Sequence, residues 1–110
     1  MNGRLTHFEL GAPDMERARA FFGQLLGWRF SPYGEGSAID AAGQRGGLHQ
    51  ERPGGFTPFF AVDDLEAAIL RVRSLGGEAS EPTPVEPGFG RFSMCRDDQG
   101  VPFGLQQLEG

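Results

Sequence analysis

The 110-residue chain has no lysine, and all ten of its cations are arginine. They are scattered along the sequence and outnumbered by fifteen carboxylates, for a formal charge of −5. No segment gathers enough positive charge to follow a phosphate backbone, which argues against nucleic acid or an anionic membrane as partner. Cys95 is the only cysteine, so an internal disulfide is excluded and a reducing compartment fits. No apolar run is long enough for a membrane span, and the opening MNGRLTHFEL lacks the apolar core of a secretory signal. The expectation is a soluble, cytoplasmic protein. Glycine-rich phosphate loops, a Ser-His-Asp order and paired zinc-type cysteines are also missing.

What is plentiful is phenylalanine, with ten, and the turn formers glycine and proline, with 18 and 8. That mixture describes one small domain of short elements joined by tight turns. Sliding the chain against itself by fifty positions brings out a repeat. Ala12-Pro13-Asp14-Met15-Glu16-Arg17-Ala18 falls on Val62-Asp63-Asp64-Leu65-Glu66-Ala67-Ala68, Leu25 falls on Leu75, and Gly27 on Gly77. In the first copy Met15, Ala18, Phe21, Phe22, Leu25 and Leu26 recur at helical spacing; in the second Leu65, Ala68, Ile69, Val72 and Leu75 do so. Asp63 and Glu66 have the spacing of a capping box, and Gly27 and Gly76-Gly77 suit helix exits. Strands are expected at 5–10, 27–31, 37–41 and 46–49 around the first helix. Around the second they are expected at 56–62, 78–81, 91–95 and 102–108. Each half therefore reads β-α-β-β-β, a module at 4–50 and another at 56–108 joined by a linker at 51–55. The class is α+β, with the helices on one face of a mixed or antiparallel sheet.

Four stretches of wording resemble the glyoxalase/bleomycin-resistance/dioxygenase (vicinal oxygen chelate) superfamily, in its branch of predicted enzymes related to lactoylglutathione lyase. They are His7-Phe8-Glu9-Leu10 with Pro13-Asp14 and Arg17-Ala18; Phe21-Phe22-Gly23 to Leu26-Gly27-Trp28; Phe60 to Ala68 with Gly76-Gly77-Glu78; and Asp97-Asp98-Gln99-Gly100-Val101-Pro102-Phe103-Gly104-Leu105-Gln106. The resemblance implies two modules whose eight strands form an open, cupped, barrel-like sheet with the helices outside. It also implies a homodimer and, in metal-dependent members, a divalent cofactor held by His and Glu side chains, two from each module.

The first implied ligand position is filled by His7. Its repeat counterpart is Thr57, whose neutral hydroxyl is a poor ligand for a borderline metal. The two carboxylate positions fall on Gly47 and Gly104 and have no side chain. The usual metal site is therefore expected to be lacking. A substitute set exists, because side chains two apart on a strand share a face. Glu9 then accompanies His7, and His49 accompanies Gly47. His7, Glu9 and His49 form a two-histidine, one-carboxylate set of the kind that binds non-haem iron, and they are the metal candidates. Structural roles compete: His7 as a hydrogen-bonded polar residue, His49 as an exposed one, and Glu9 as a ligand-orienting carboxylate with a partner such as Arg91 or His7.

By strand alternation the inner face shows His7, Glu9, His49, Thr57, Phe59, Arg91, Ser93, Cys95 and Gln106. Phe8, Leu10, Phe60, Val62, Phe92, Met94, Phe103 and Leu105 face the helices. The two glycines are expected to enlarge the cup. Its ligand-cavity residues are then His7, Glu9, His49, Thr57, Phe59, Arg91 and Gln106, with Trp28 as a further aromatic wall. Cys95, with no neighbouring base, reads as a packed thiol, and no residue is assigned a catalytic role. The function expected is a glyoxalase-like small-molecule-binding protein of unassigned specificity, without ordinary glyoxalase I or ring-cleaving dioxygenase activity. The alternatives are a metal-dependent lyase, isomerase or dioxygenase using His7, Glu9 and His49, and a protein that sequesters a drug or metabolite.

Overall fold

Residues 2–109 are described by the structure, a computed structural model. Among them are eight strands and two helices in the order β-α-β-β-β, twice, which is the α+β class the repeat predicts. No helix among the described residues is long and apolar enough to cross a membrane. The chain forms two compact units: His7–Thr57, and the residues up to Thr6 together with the chain from Pro58 onward.

The first unit contains β1 (Leu5–Ala12) from His7 on, α1 (Met15–Leu26), β2 (Arg29–Tyr33), β3 (Gly36–Ala41) and β4 (Gln44–Gln50). Its strand order is β2-β3-β4-β1, with β1 and β4 parallel and the other pairs antiparallel. Asp14 starts α1 by accepting the Arg17 N–H at 3.0 Å, satisfying one of the donors a helix start leaves open. Gly27, at φ 72°, ends it in the left-handed conformation. The buried stripe of the helix packs Ala18, with Met15 and Phe22, on Leu10, Ala12, Ile39 and Leu48. Because Gly27 turns the chain back under the helix, β2 starts at Arg29, two residues later than expected. Trp28 is thereby stacked on Phe22 at 5.1 Å and tilted against Phe8 at 5.4 Å. Trp28, expected as an aromatic wall of the cavity, is packed against the apolar core beside α1.

The second unit contains β5 (Gly55–Ala61) from Pro58 on, α2 (Leu65–Ser74), β6 (Glu78–Ala79), β7 (Arg91–Arg96) and β8 (Pro102–Gln107). Its order, β5-β8-β7-β6, repeats the first pattern, with β5 and β8 parallel. The cap of α2 is Asp64, which accepts the Ala67 N–H at 3.1 Å, and not the Asp63 of the expected capping box. Asp63 is instead reached by Asn2, whose side-chain oxygen accepts the Asp63 N–H at 2.9 Å. The α2 stripe buries Leu65 and Ile69 against Cys95 and Leu105.

The strand β7 presents the opposite faces from those expected. Ser93 and Cys95 lie on the side of α2 and are buried, whereas Met94 is exposed and Phe92 packs with Phe59 and Phe89. Period-two patterning sends the larger apolar residues of β7 toward the helix; instead Cys95 packs with Leu65, Ile69 and Leu105, and the bulk on that side comes from Phe60 and Phe103 of the neighbouring strands. A one-residue offset in a strand exchanges its whole side-chain set between faces. Arg91 moves with it: its guanidinium grips the Glu66 carboxylate of α2 at 3.0 and 3.3 Å, and so leaves the proposed ligand face.

Gly104 pairs with Phe59, and the Phe59 ring lies over it so closely that a Cβ at 104 would collide with the ring. An alanine in a strand ordinarily gains about 0.5–1 kcal/mol over glycine. Here Gly104→Ala is expected to lose about 1–3 kcal/mol through overpacking. Urea denaturation should show this loss, and it should shrink when Phe59 is first changed to Ala.

Candidate functional site

In the first unit, the face of β1 and β4 turned away from α1 carries a continuous chain of four side chains. His7 Nε2 is 2.6 Å from Glu9 Oε2. The other oxygen, Glu9 Oε1, is 2.8 Å from His49 Nδ1. His49 Nε2 in turn lies 2.7 Å from Glu51 Oε1. Exposure rises along the chain, with side-chain values of 9% for His7, 28% for Glu9, 44% for His49 and 53% for Glu51. The cluster thus reaches from the interior to solvent.

Strand register makes this possible. Glu9 stands opposite Gly47, and Gly11 opposite His49. The Glu9 carboxylate lies over Gly47, and the Glu51 side chain over Gly11, so that a Cβ at either glycine would strike the carboxylate-bearing chain. Two glycines provide the floor on which two acids reach sideways to two imidazoles.

The hydrogen bonds fix the charge pattern. An ionised carboxylate only accepts, so each of the three contacts needs a proton on a ring nitrogen. His49 touches a carboxylate with both nitrogens, an arrangement that favours its doubly protonated, imidazolium form; against an ionised Glu9, His7 donates from Nε2. Burial pushes the Glu9 carboxyl up, but the hydrogen bonds from His7 and His49 and their charge outweigh it, and the net shift is downward. Burial likewise lowers His49, while Glu51 and Glu9 hold its proton more strongly and raise it above the ordinary imidazole value. The two shifts describe one ion pair seen from either side.

Of the sequence-predicted residues, His7, Glu9 and His49 come together here. Glu51, at the first position of the expected linker, joins them; its spacing of two from His49, the same rule that links His7 to Glu9, is the signal that identifies it. Thr57 lies half-buried on β5, two residues before Phe59. Gln106 is buried with both ends engaged: Thr6 Oγ1 donates to its oxygen at 2.7 Å, and its nitrogen donates to the Phe89 carbonyl at 2.8 Å. Phe59 is 2% exposed in an aromatic trio with Phe89 and Phe92. Neither is available as a cavity wall. The expected enlargement at the two glycines does not occur either, because the Glu9 carboxylate fills the space at Gly47 and the Phe59 ring fills it at Gly104.

A divalent ion of the kind the resemblance implies does not fit these residues. The four-position set retains only His7, and both glycine positions are filled. The substitute set of His7, Glu9 and His49 is tied up internally, with each Glu9 oxygen on a different imidazole. Among the described residues no group of three His, Cys, Asp or Glu side chains has a geometry that could hold a metal ion.

The lowered Glu9 contributes stability above the ordinary carboxylate range, which is lost as pH falls through its depressed value. The raised His49 contributes stability below the ordinary imidazole value, lost as pH rises through its elevated one. Unfolding free energy should therefore be flat between about pH 5 and 6.5 and decline on both sides. In Glu9→Gln both declines should weaken, and the His49 ring, followed by NMR, should titrate at lower pH than in the parent.

Residues 4–105 match the sequence model of the glyoxalase/bleomycin resistance protein/dioxygenase superfamily. The anthracycline biosynthesis protein DnrV of Streptomyces peucetius is 27% identical over 128 aligned positions, covering 94% of this chain and 46% of that protein. This chain thus spans about half the length of that relative. Methylmalonyl-CoA epimerase from Mycobacterium tuberculosis superposes with a TM-score of 0.70 at 18% identity, over 98% of this chain and 89% of the other. Homoprotocatechuate 2,3-dioxygenase from Brevibacterium fuscum superposes with 0.76 at 20% identity, over 96% of this chain and 36% of the other. These structures share the fold. With the family's sequence model running through nearly all of both units, the chain belongs to the glyoxalase/bleomycin resistance protein/dioxygenase superfamily.

Proposed function

We propose that this chain is a metal-independent, small-molecule-binding member of its superfamily that meets its ligand at the solvent end of the His7-Glu9-His49-Glu51 chain. The observation that carries the reading is the double engagement of Glu9. A carboxylate bridging two imidazoles is held in place without a metal and orients the hydrogen-bonded His49–Glu51 pair toward the surface, where both side chains are about half exposed. The relative DnrV, named for anthracycline biosynthesis, favours a metabolite of that class over a glutathione adduct as ligand. Ordinary glyoxalase I and ring-cleaving dioxygenase activities are not part of this reading, because no step of either is supported by the filled glycine positions. A second reading, metal-free proton transfer on the bound molecule, is favoured by the unbroken alternation of acid and imidazole, which connects the buried His7 with the exposed Glu51.

Calorimetric titration with Zn²⁺, Ni²⁺, Mn²⁺ and Fe²⁺ should give no stoichiometric tight binding, while an anthracycline should bind saturably and lose affinity in His49→Ala. Stoichiometric metal binding accompanied by turnover of the methylglyoxal–glutathione adduct would overturn the proposal.

We further propose that the protein works as a cytoplasmic homodimer. Phe21, Leu25 and Leu26 leave an apolar strip of α1 exposed, which supports self-association. Sedimentation should show a dimer for the parent chain and a monomer for Leu25→Glu; a parent chain that sediments as a monomer would refute the dimer.

A further inference from the structure

The opposite face of the first unit holds a second candidate site. A cleft of about 450 Å³ opens between the first half of α1 and the β2–β3 hairpin, on the helix-bearing side of the sheet. Phe30, Pro32 and Met15 give it an apolar lining, Ser37 a buried hydroxyl, Arg19 a cation and Glu35 an anion. Register places these groups together. Phe30 stands opposite Ile39, and Pro32 opposite Ser37, so all four side chains point toward α1. Met15 and Arg19, four apart on the helix, form the facing wall.

Arg19 is the informative member. It is half-buried, yet among the described residues its one side-chain polar contact is a guanidinium nitrogen donating to Ser37 Oγ at 3.2 Å. Three other arginines, Arg29, Arg73 and Arg91, each have a carboxylate within ion-pair distance. Arg19 has none among the described residues, and Glu35 in the same cleft does not reach it. A guanidinium offers five donors in a planar fork suited to a carboxylate. Partial burial lowers the local dielectric and strengthens the attraction for an anion that enters. Apolar lining on the remaining sides favours a ligand with a hydrophobic body.

We propose that this cleft binds a small organic monocarboxylate with an aromatic or branched apolar body, its carboxylate on Arg19 and its body against Phe30, Pro32 and Met15. Glu35 gives the site its selectivity, because a second negative charge on the ligand would meet it. The site is independent of the His7-Glu9-His49-Glu51 chain, which is carried by β1 and β4 on the other face of this unit's sheet.

Phenylacetate, with phenylacetamide as its uncharged counterpart, tests this by amide chemical-shift titration. Saturable shifts are expected at Ser37, Glu35 and Arg19 with the acid, and at least about tenfold weaker binding with the amide. Arg19→Gln should abolish the preference for the acid, whereas Arg17→Gln, two residues earlier on α1 and not among the cleft's lining, should preserve it. Ser37→Ala leaves the guanidinium in place with one more free donor and should retain binding. Malonate-type dianions should bind more weakly than phenylacetate, and the difference should narrow in Glu35→Gln. Equal affinity for acid and amide, an equal loss in Arg17→Gln and Arg19→Gln, a Ser37→Ala loss as large as that of Arg19→Gln, or no saturable shift in the parent chain would each overturn the proposal.

Discussion

The first unit depends on a carboxylate held between two imidazoles. Glu9 leaves β1 sideways, crosses Gly47 and meets His7 on one oxygen and His49 on the other. A partly buried anion is tolerated only when its lone pairs are satisfied, and here both oxygens have charged or strongly polar donors. The dependence is mutual. Without the acid, two ring nitrogens would lose their acceptor, one of them on the nearly buried His7. Without glycine at 47 the acid could not lie where it does. Four residue choices on two strands, His7, Glu9, Gly47 and His49, are thus linked through one carboxylate, and Glu51 over Gly11 extends the same arrangement to solvent.

The duplication shows this arrangement to be one use of a shared geometric device. Glu9 and Phe59 are fifty positions apart, each at the same place in its module. Each stands on a parallel register opposite a glycine, Gly47 or Gly104, and each lays its side chain over that glycine. One module fills the space with a hydrogen-bonded anion, the other with an aromatic ring edge-on to Phe92 and Phe89. A common backbone plan has therefore diverged into a polar site in one copy and a packed core in the other, without altering strand order.

Much of this plan is legible in the residues. The repeat gives both helices, all eight strands and the α+β class, because helix periodicity and glycine exits are local signals. The grouping of Glu9 with His7, and of His49 with Gly47, follows from alternation along single strands. What escapes is information that only pairing supplies. Nothing local reveals that Glu9 and Phe59 lie over glycines of neighbouring strands, so the glycines read as open space. The facing of β7 depends on what the neighbouring strands bring to the helix side, where Phe60, Phe103 and Leu105 already supply the bulk around Leu65 and Ile69 and Cys95 completes the cluster. Trp28 is drawn into the core by the Gly27 turn, and Arg91 is drawn to α2 by Glu66, a partner 25 residues away. Each of these is a tertiary constraint overriding a sound local pattern.

The strand β1 is divided between the two units at Thr6 and His7. Gly3 donates to Ala61, Arg4 accepts from Ala61, and Asn2 accepts the N–H of Asp63, contacts that join the beginning of the chain to its middle. On the ribosome those first residues emerge long before their partners. The first unit has its own residues in hand while the second must wait, with its leading segment unpaired, until β5 and the start of α2 have been made. Pairings that span such a stretch of sequence are the slow ones to close. Vectorial synthesis therefore favours an order of assembly in which the copy bearing the histidines forms before the copy bearing the aromatic trio.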